Sequence, residues 1–438
     1  NATINLLNTV EGISPEDVSR IEGEAKFLRA HFHFEGYKYW TNIPYYTEAD
    51  EDFRKSNTTD ALPMIVADLQ AAISSLPESQ AQTGRVNSWT AKAYLGRVHM
   101  FAKDYASAQS ILSDVVDNGP YALETNFHDV FSADNDNGPE TILAFQASSN
   151  DGDPNGNNGN RNDRLNFPHG GSPFGCCGFH QPSQNLVNAF KVDGSGLPLL
   201  DGSFNNSDVA ASDAVDPRLD WTVGRDDVPF LDWGLHAPAW IRDRAWAGPY
   251  SPKKNIYEKE SGVGSQVGWA SYQLHSMNLH ILRYADVLLM LAEAEVEMGN
   301  LDRAKDLVNM VRARAAIAVQ GPGEGAIEVP LGDASVTWAN YQIGQYASFT
   351  DADMARDAVR MERRLELAME GHRFFDLRRW GIAKDVLNAY VDVEKTKRNY
   401  LTGASPYEDR HDMYPLPTVQ IELSRVDGED RLVQNPGW

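Results

Sequence analysis

The chain carries one helical design twice, at an offset of 196 residues. Within Trp89 to Val116, the run Ala93-Tyr94-Leu95 is followed by a break at Lys103-Asp104-Tyr105 and then by Ala108 and Leu112. Within Val287 to Val311, Leu288-Leu289-Met290-Leu291 is followed by a break at Gly299-Asn300-Leu301 and then by Ala304 and Leu307. Leu95 falls on Leu291 and Ala108 on Ala304. Each copy reads as a helix, a short turn and a second helix, with a small residue where the two axes approach. A pair of this kind cannot bury its own apolar face, so pairs stack, which is the tetratricopeptide logic. A plain helical bundle is the other architecture the pattern allows.

Further segments extend the helical reading. Ser14-Pro15-Glu16-Asp17 is a helix start, with a capping hydroxyl, a first-turn proline and acids that complement the dipole. Ile21, Ala25, Leu28 and Phe32 then recur at helical spacing up to Tyr39, and Asn42 to Pro44 breaks the run. Asp60 to Leu76 reads as a second helix with Met64, Leu69 and Ile73, and Asp353 to Asn388 resembles a further pair. Ser148 to Gly171 is dominated by Asn, Gly and Asp, and from there to Tyr272 turn residues alternate with aromatics without a period. The expected fold is mainly α: a tetratricopeptide-like scaffold over 1–147 and 273–438, a loop-rich insertion over 148–272 and a smaller one over 321–350, packed as one compact unit. Long ordered loops on a rigid scaffold usually carry function.

Charge narrows the partners. With 39 Lys plus Arg against 62 Asp plus Glu among 438 residues, the net charge of -23 repels phosphate backbones and anionic lipid surfaces. Nucleic acid is excluded as the main partner. The longest apolar stretch, Val287 to Ala292, is far short of the ~20 residues that span a bilayer. Asn1 to Ser14 has no signal-peptide pattern and opens inside a helix. The expectation is a trimmed chain, with any address label or anchor upstream.

Familiar catalytic templates are absent: no G-x-S-x-G elbow, no phosphate-binding G-x-x-x-x-G-K-[ST] loop and no H-E-x-x-H pair. Gly262-Val263-Gly264 is followed by Gly268, one residue too far for a dinucleotide fingerprint. His31 and His33 face different sides of a helix and cannot share a metal.

Aromatic residues give the positive signal. Five of the ten Trp (Trp221, Trp233, Trp240, Trp246, Trp269) fall in the loop-rich segment, with Phe230, Tyr250, Tyr257 and Tyr272. Pyranose rings stack their C–H faces on flat aromatic surfaces while nearby polar groups take their hydroxyls. On this reading Trp233, Trp240, Trp246, Tyr250, Trp269 and Arg242 form an open platform, with Gly248, Asn255, Gln266 and Gln273 interleaved. The alternative is a satellite core that pins the loop to the helices. From Trp221 to Tyr257 five basic residues face four acidic ones, about +1, which leaves an acidic sugar open as a ligand.

Two smaller features stand apart. Asp151-Gly152-Asp153-Pro154-Asn155-Gly156 resembles the first half of a calcium loop, with Asp151, Asp153 and Asn155 as the candidate ligands. Its closing position falls on Asn162, with Asp163 one residue late, so a plain hydrophilic loop is the other reading. No other cofactor is expected. Cys176 and Cys177 are adjacent and flanked by Gly175 and Gly178; they form either a vicinal disulfide or reduced, buried thiols. Two cysteines are too few for zinc.

Four segments in order resemble the SusD/RagB family of outer-membrane glycan-binding lipoproteins. They are Glu24-Ala25-Lys26-Phe27-Leu28-Arg29-Ala30 with Asn42-Ile43-Pro44; Arg283-Tyr284-Ala285-Asp286-Val287 leading to Ala292-Glu293-Ala294; Glu362-Arg363-Arg364-Leu365-Glu366-Leu367 running to Glu370-Gly371-His372-Arg373-Phe374-Phe375-Asp376-Leu377; and Tyr414-Pro415-Leu416-Pro417 with the terminal Gln434-Asn435-Pro436-Gly437-Trp438. The stretch from Phe167-Pro168 to Phe190 is similar to one branch of that family. The resemblance implies a helical scaffold with an irregular sugar-binding region. It also implies a lid-like partnership with a SusC-like TonB-dependent transporter, and a cell-surface location through a Cys-linked lipid upstream of this sequence. It makes these four segments scaffold, with Arg373 and Asp376 as ion-paired supports.

The leading expectation is a non-catalytic receptor that captures an oligo- or polysaccharide and hands it to that transporter. An all-α glycosidase would need two facing carboxylates, ~5–5.5 Å or ~6.5–9.5 Å apart, for which Asp232 and Asp243 are the candidates. A protein-binding tetratricopeptide scaffold would need an open concave groove.

Overall fold

The computed structural model describes residues 1–268, 273–320 and 328–438. The chain divides into two compact units. Unit 1 comprises Asn1–Gly119, Phe374–Asn388 and Ser405–Trp438; unit 2 comprises Pro120–Arg373 and Ala389–Ala404. The loop-rich insertion and the second helical pair therefore fold inside one unit, where three segments of a single body were expected.

Unit 1 is a helical array of α1 (Ala2–Leu7), α2 (Pro15–Trp40), α3 (Leu62–Ser75), α4 (Ser88–Phe101) and α5 (Tyr105–Asn118), in which successive helices pack on one another. Ser14 starts α2 as its sequence implies, its hydroxyl accepting from the Asp17 amide at 3.1 Å. The buried stripe of α2 is Phe27, Ala30 and Phe34, with Phe27 and Phe34 packed edge-on to Tyr94. This corrects the expected stripe: Leu28 and Phe32 face outward, with Phe32 69% exposed. Helix α2 has apolar residues on two faces, and period alone does not say which one meets α3. Arg29 forks onto Asp68 of α3 at 2.6 and 2.7 Å, a two-pronged contact that fixes the rotation. At the chain end, the Asn435 side-chain amide donates to the Trp40 and Tyr414 carbonyls at 3.0 and 2.8 Å. Asp376 pairs with Arg379 at 2.9 Å.

Unit 2 holds the second copy, α6 (Tyr284–Glu297) and α7 (Leu301–Ala315), with α8 (Ala352–Glu366) packed on both. The 196-residue offset carries Ser88 onto Tyr284, Phe101 onto Glu297 and Tyr105 onto Leu301, so the two pairs begin and break in register. Even the turn repeats: Lys103 (φ 60°) and Gly299 (φ 83°) both take the left-handed conformation. Ala108 and Ala304 are fully buried.

Strand β1 (Thr141–Phe145) pairs antiparallel with β2 (Leu279–Arg283), from Thr141 opposite Arg283 to Phe145 opposite Leu279. The intervening irregular excursion leaves and returns through these two strands. Of the shorter insertion, 321–327 lies outside the described residues; beyond it Asn340–Tyr341 pairs with Ala214–Val215.

An ionic lattice occupies the interior of unit 2. Glu366 takes Arg283 at 2.7 Å, Arg218 at 2.9 Å and also Arg314; Glu362 takes Arg218 at 2.6 Å and Arg312 at 2.8 Å; Glu140 takes Arg283 at 2.7 Å and Arg314 at 2.8 Å. Buried charges survive only when paired and hydrogen-bonded. The Glu362–Glu366 and Arg283 motifs are thus scaffold. Among the described residues no helix is long and apolar enough to cross a membrane.

Candidate functional site

The irregular segment has no helical stripe to bury, so its aromatics build a core together with Phe127 and Phe131 from the stretch before it. Phe127, Phe131, Phe167, Phe174, Trp221, Phe230, Trp240 and Tyr257 form one buried cluster. Trp221 and Trp240 are 3% and 6% exposed. Trp233 packs on that cluster with its ring 4.5 Å from Phe174, and its indole N–H donates to the Tyr257 carbonyl at 2.8 Å. Tyr250 is buried in a second cluster with Leu219 and Phe190. The expectation of an open platform is therefore corrected for Trp240 and Tyr250, which are interior, and for Trp233, which is half-buried with its polar edge satisfied. Trp269 lies outside the described residues.

Trp246 does face outward, 54% exposed. It sits on the one-turn helix Arg244–Ala247, which Asp243 caps by accepting from the Ala245 and Trp246 amides at 2.9 and 3.1 Å. Behind it, Arg244 pairs with Asp226 at 2.7 Å, and the same carboxylate contacts His236 at 3.1 Å. Burial drives the His236 imidazole down to about 4 against the pull of Asp226, so it stays neutral.

Trp246 borders a cavity of about 690 Å³ together with Arg242, Phe179, Tyr390 and Tyr400. Sequence reasoning brought Arg242 and Trp246 together; it missed both tyrosines, which reach the site from 389–404, far along the chain and outside the aromatic cluster. Their hydroxyls lie 2.5 Å apart. Burial raises both phenols, so they act as neutral hydrogen-bonding groups. Tyr250 contributes indirectly: its carbonyl accepts from the Gln181 side-chain amide at 3.0 Å and fixes Gln181 in the wall. Gly248 takes φ 102°, a backbone conformation that residues with a Cβ rarely adopt, so the turn after Trp246 favours glycine.

Cys176 and Cys177 are disulfide-bonded across a cis peptide. The strip that follows is tied to a neighbouring one: the Gly178 amide donates to the Phe167 carbonyl at 2.8 Å and the Phe179 amide to the Leu165 carbonyl at 3.0 Å. This holds Phe179, 54% exposed, at the cavity edge.

The candidate glycosidase carboxylates are both engaged in turns. Asp232 accepts from the Lys259 and Glu260 amides at 2.6 and 2.9 Å and does not line the cavity, while Asp243 lines it but is the cap of the Trp246 turn. In the 151–156 loop, Asp151 accepts from the Asp153 amide at 3.1 Å and from Asn158 at 2.7 Å, and Asp153 accepts from the Asn155 amide at 2.8 Å. These carboxylates serve the loop's own turns. Among the described residues no three His, Cys, Asp or Glu side chains are grouped to hold a metal ion.

Comparison with known proteins places this architecture. Residues 1–100 match the family described as "Starch-binding associating with outer membrane". A SusD-like protein of Formosa agariphila is 28% identical over 461 residues, covering 97% of this chain and 75% of that protein. The crystal structure of a SusD superfamily protein from Bacteroides vulgatus superposes with a TM-score of 0.69 at 20% identity, over 99% of this chain and 81% of that one. A structure described as "Laminarin binding SusD-like protein" superposes with a TM-score of 0.67 at 23% identity, over 100% and 83%. Residues 139–438, well over half of the sequence, match the SusD family, and the chain belongs to that family.

Proposed function

We propose that the protein is a non-catalytic glycan receptor of the cell surface. It holds an oligo- or polysaccharide against Trp246, Tyr390, Tyr400 and Phe179 and passes it to a SusC-like TonB-dependent transporter in the outer membrane, where a lipid upstream of this sequence anchors it. The observation that carries this reading is the exposed indole of Trp246 at the edge of a cavity that also presents two tyrosines and Arg242. Stacking supplies affinity for sugar C–H faces, and Arg242, Gln181 and the phenols supply hydrogen bonds. The family's association with the outer membrane and the laminarin-binding description of one structural neighbour support the reading. No bond is made or broken, so no cofactor is needed.

Affinity electrophoresis through gels containing single polysaccharides tests it. A retarded band for at least one glycan is expected, with no new reducing ends released from it. Turnover would replace the receptor with a glycosidase, and absence of retention by any glycan would remove the reading.

A further inference from the structure

A second cavity, of about 370 Å³, lies beside the first, and His180 and Met369 line both. These two residues share another property: each is a non-glycine in the left-handed conformation, at φ 57° and 67°. Few such residues adopt it, and the surrounding structure has to hold them there; strain of this kind clusters at active sites, ligand clamps and switches. The surroundings here are explicit. The Lys254 ammonium donates to the Glu366 and Ala368 carbonyls at 2.7 and 3.0 Å and to the Glu370 carboxylate, gripping the turn around Met369. His180 sits between the pinned Phe179 amide and the anchored Gln181 side chain.

The lining of the second cavity is distinctive. Asp136 accepts from the Asn278 amide at 2.9 Å, and Asp163 from the Asn255 and Asn160 side chains at 3.0 Å each. Among the described residues no Lys or Arg pairs with either carboxylate. Burial lifts both to about 6, which still leaves them charged at neutral pH. The third acid of the lining, Glu370, is neutralised by Arg283 and Lys254. Burial keeps His180 and His280 below the ordinary imidazole range, so neither supplies a cation. His280 donates from its Nε2–H to the Val130 carbonyl at 2.9 Å, so Nδ1 is an acceptor, and it has no partner among the described residues. The cavity thus offers acceptors and negative charge, together with the side-chain amides of Asn162 and Asn166.

We infer that the two cavities are one cleft with a throat at His180 and Met369, whose inner lobe takes the hydroxyls of an uncharged sugar unit and repels uronate and sulfate groups. The inference rests on the glycan-receptor reading and narrows it. Sugar hydroxyls donate to carboxylates with charge-assisted strength, whereas a second anion in a partly dehydrated lobe meets unscreened repulsion. Of the charged residues from Trp221 to Tyr257, whose near-neutral balance left acidic sugars open, Arg242 and Asp243 line the outer cavity and none lines this lobe.

The test uses gels containing laminarin, starch, xylan or mannan as neutral probes and alginate or polygalacturonate as uronate probes. Wild type is expected to be retained by at least one neutral polymer and by neither uronate. Asn162 is exposed and lines only the inner lobe, so Asn162→Trp should obstruct it and weaken the retained interaction by at least about tenfold at unchanged thermal stability. Asp136→Asn should raise uronate retention. Retention of uronates by wild type, or an undiminished Asn162→Trp, overturns the inner lobe. If Trp246→Ala weakens binding while Asn162→Trp does not, the receptor reading stands and this inference alone fails. If no polymer is retained, both fail.

Discussion

The hydroxyl oxygens of Tyr390 and Tyr400 lie 2.5 Å apart, which makes two rings ten residues apart a single wall of the outer cavity. The hydrogen bond orients the rings, and their faces supply contact area. Tyr400→Ala should therefore weaken glycan retention by at least about tenfold, whereas Tyr400→Phe, which keeps the face, should cost no more than about threefold. Affinity electrophoresis of the two variants on the glycan that retains wild type checks this.

Exposure separates the tryptophans by role. Trp246→Ala should weaken binding by about tenfold or more and leave the unfolding midpoint in place. Trp240→Ala opens a void between Phe174 and Phe230 and should cost ~3–5 kcal/mol of stability. Denaturant unfolding beside a binding assay distinguishes the two.

Acid should destabilise unit 2 through His275. Its ring is fully buried near Phe167 and Tyr257, neither nitrogen has a partner among the described residues, and burial drives it down to about 3. Between pH ~6.5 and 3 the unfolded chain binds a proton that the folded chain refuses, so this contribution is whole above 6.5 and is lost as pH falls. Asp136 and Asp163, raised to about 6, act in the opposite sense: their contribution is present below pH ~4 and is lost as pH rises through 6. Comparing single variants removes that overlap. His275→Gln should recover about 2–3 kcal/mol of the acid-induced loss at pH 4.5, measured by urea unfolding against wild type at pH 7.5 and 4.5.

Glu366 is the hub of the buried lattice. Burial alone would raise its carboxyl, yet Arg314, Arg283 and Arg218 hold it down at about 2. Glu366→Gln leaves three guanidiniums short of one charge and should cost ~3–5 kcal/mol, visible as a lowered urea midpoint.

Lys103 occupies the turn position that the second copy gives to Gly299. Lys103→Gly should stabilise the protein by ~0.5–1 kcal/mol by relieving the left-handed backbone, measurable as an upward shift in the unfolding midpoint.

The helical pairs were legible because their signal is local. Caps, breaks and the small residues at 108 and 304 act within a few residues of where they stand, and the offset of the two copies carries through to the helix ends. The facing of α2 was not legible, since Leu28 and Phe32 are as apolar as Phe27 and Phe34, and the face is selected by contacts from far along the chain, the fork of Arg29 onto Asp68 and the packing on Tyr94. The same holds for the indoles. Trp240 and Trp246 are six residues apart in one composition; one fills a core that exists only after the segment folds back on itself, and the other rides an exposed helical turn. Tyr390 and Tyr400 carried no sign in the sequence of what they would meet.

The pairing of β1 with β2 has an implication for how such proteins diversify. Because the irregular excursion departs and rejoins at neighbouring hydrogen-bonded residues, its outer turns can change in length at a small entropic penalty, whereas Arg218 and Lys254 within it are tied to Glu362, Glu366 and Ala368 and stay fixed. A transplant of 148–272 between relatives of like stem geometry must therefore bring Arg218 and Lys254 with it, so that only the outward turns are free to vary.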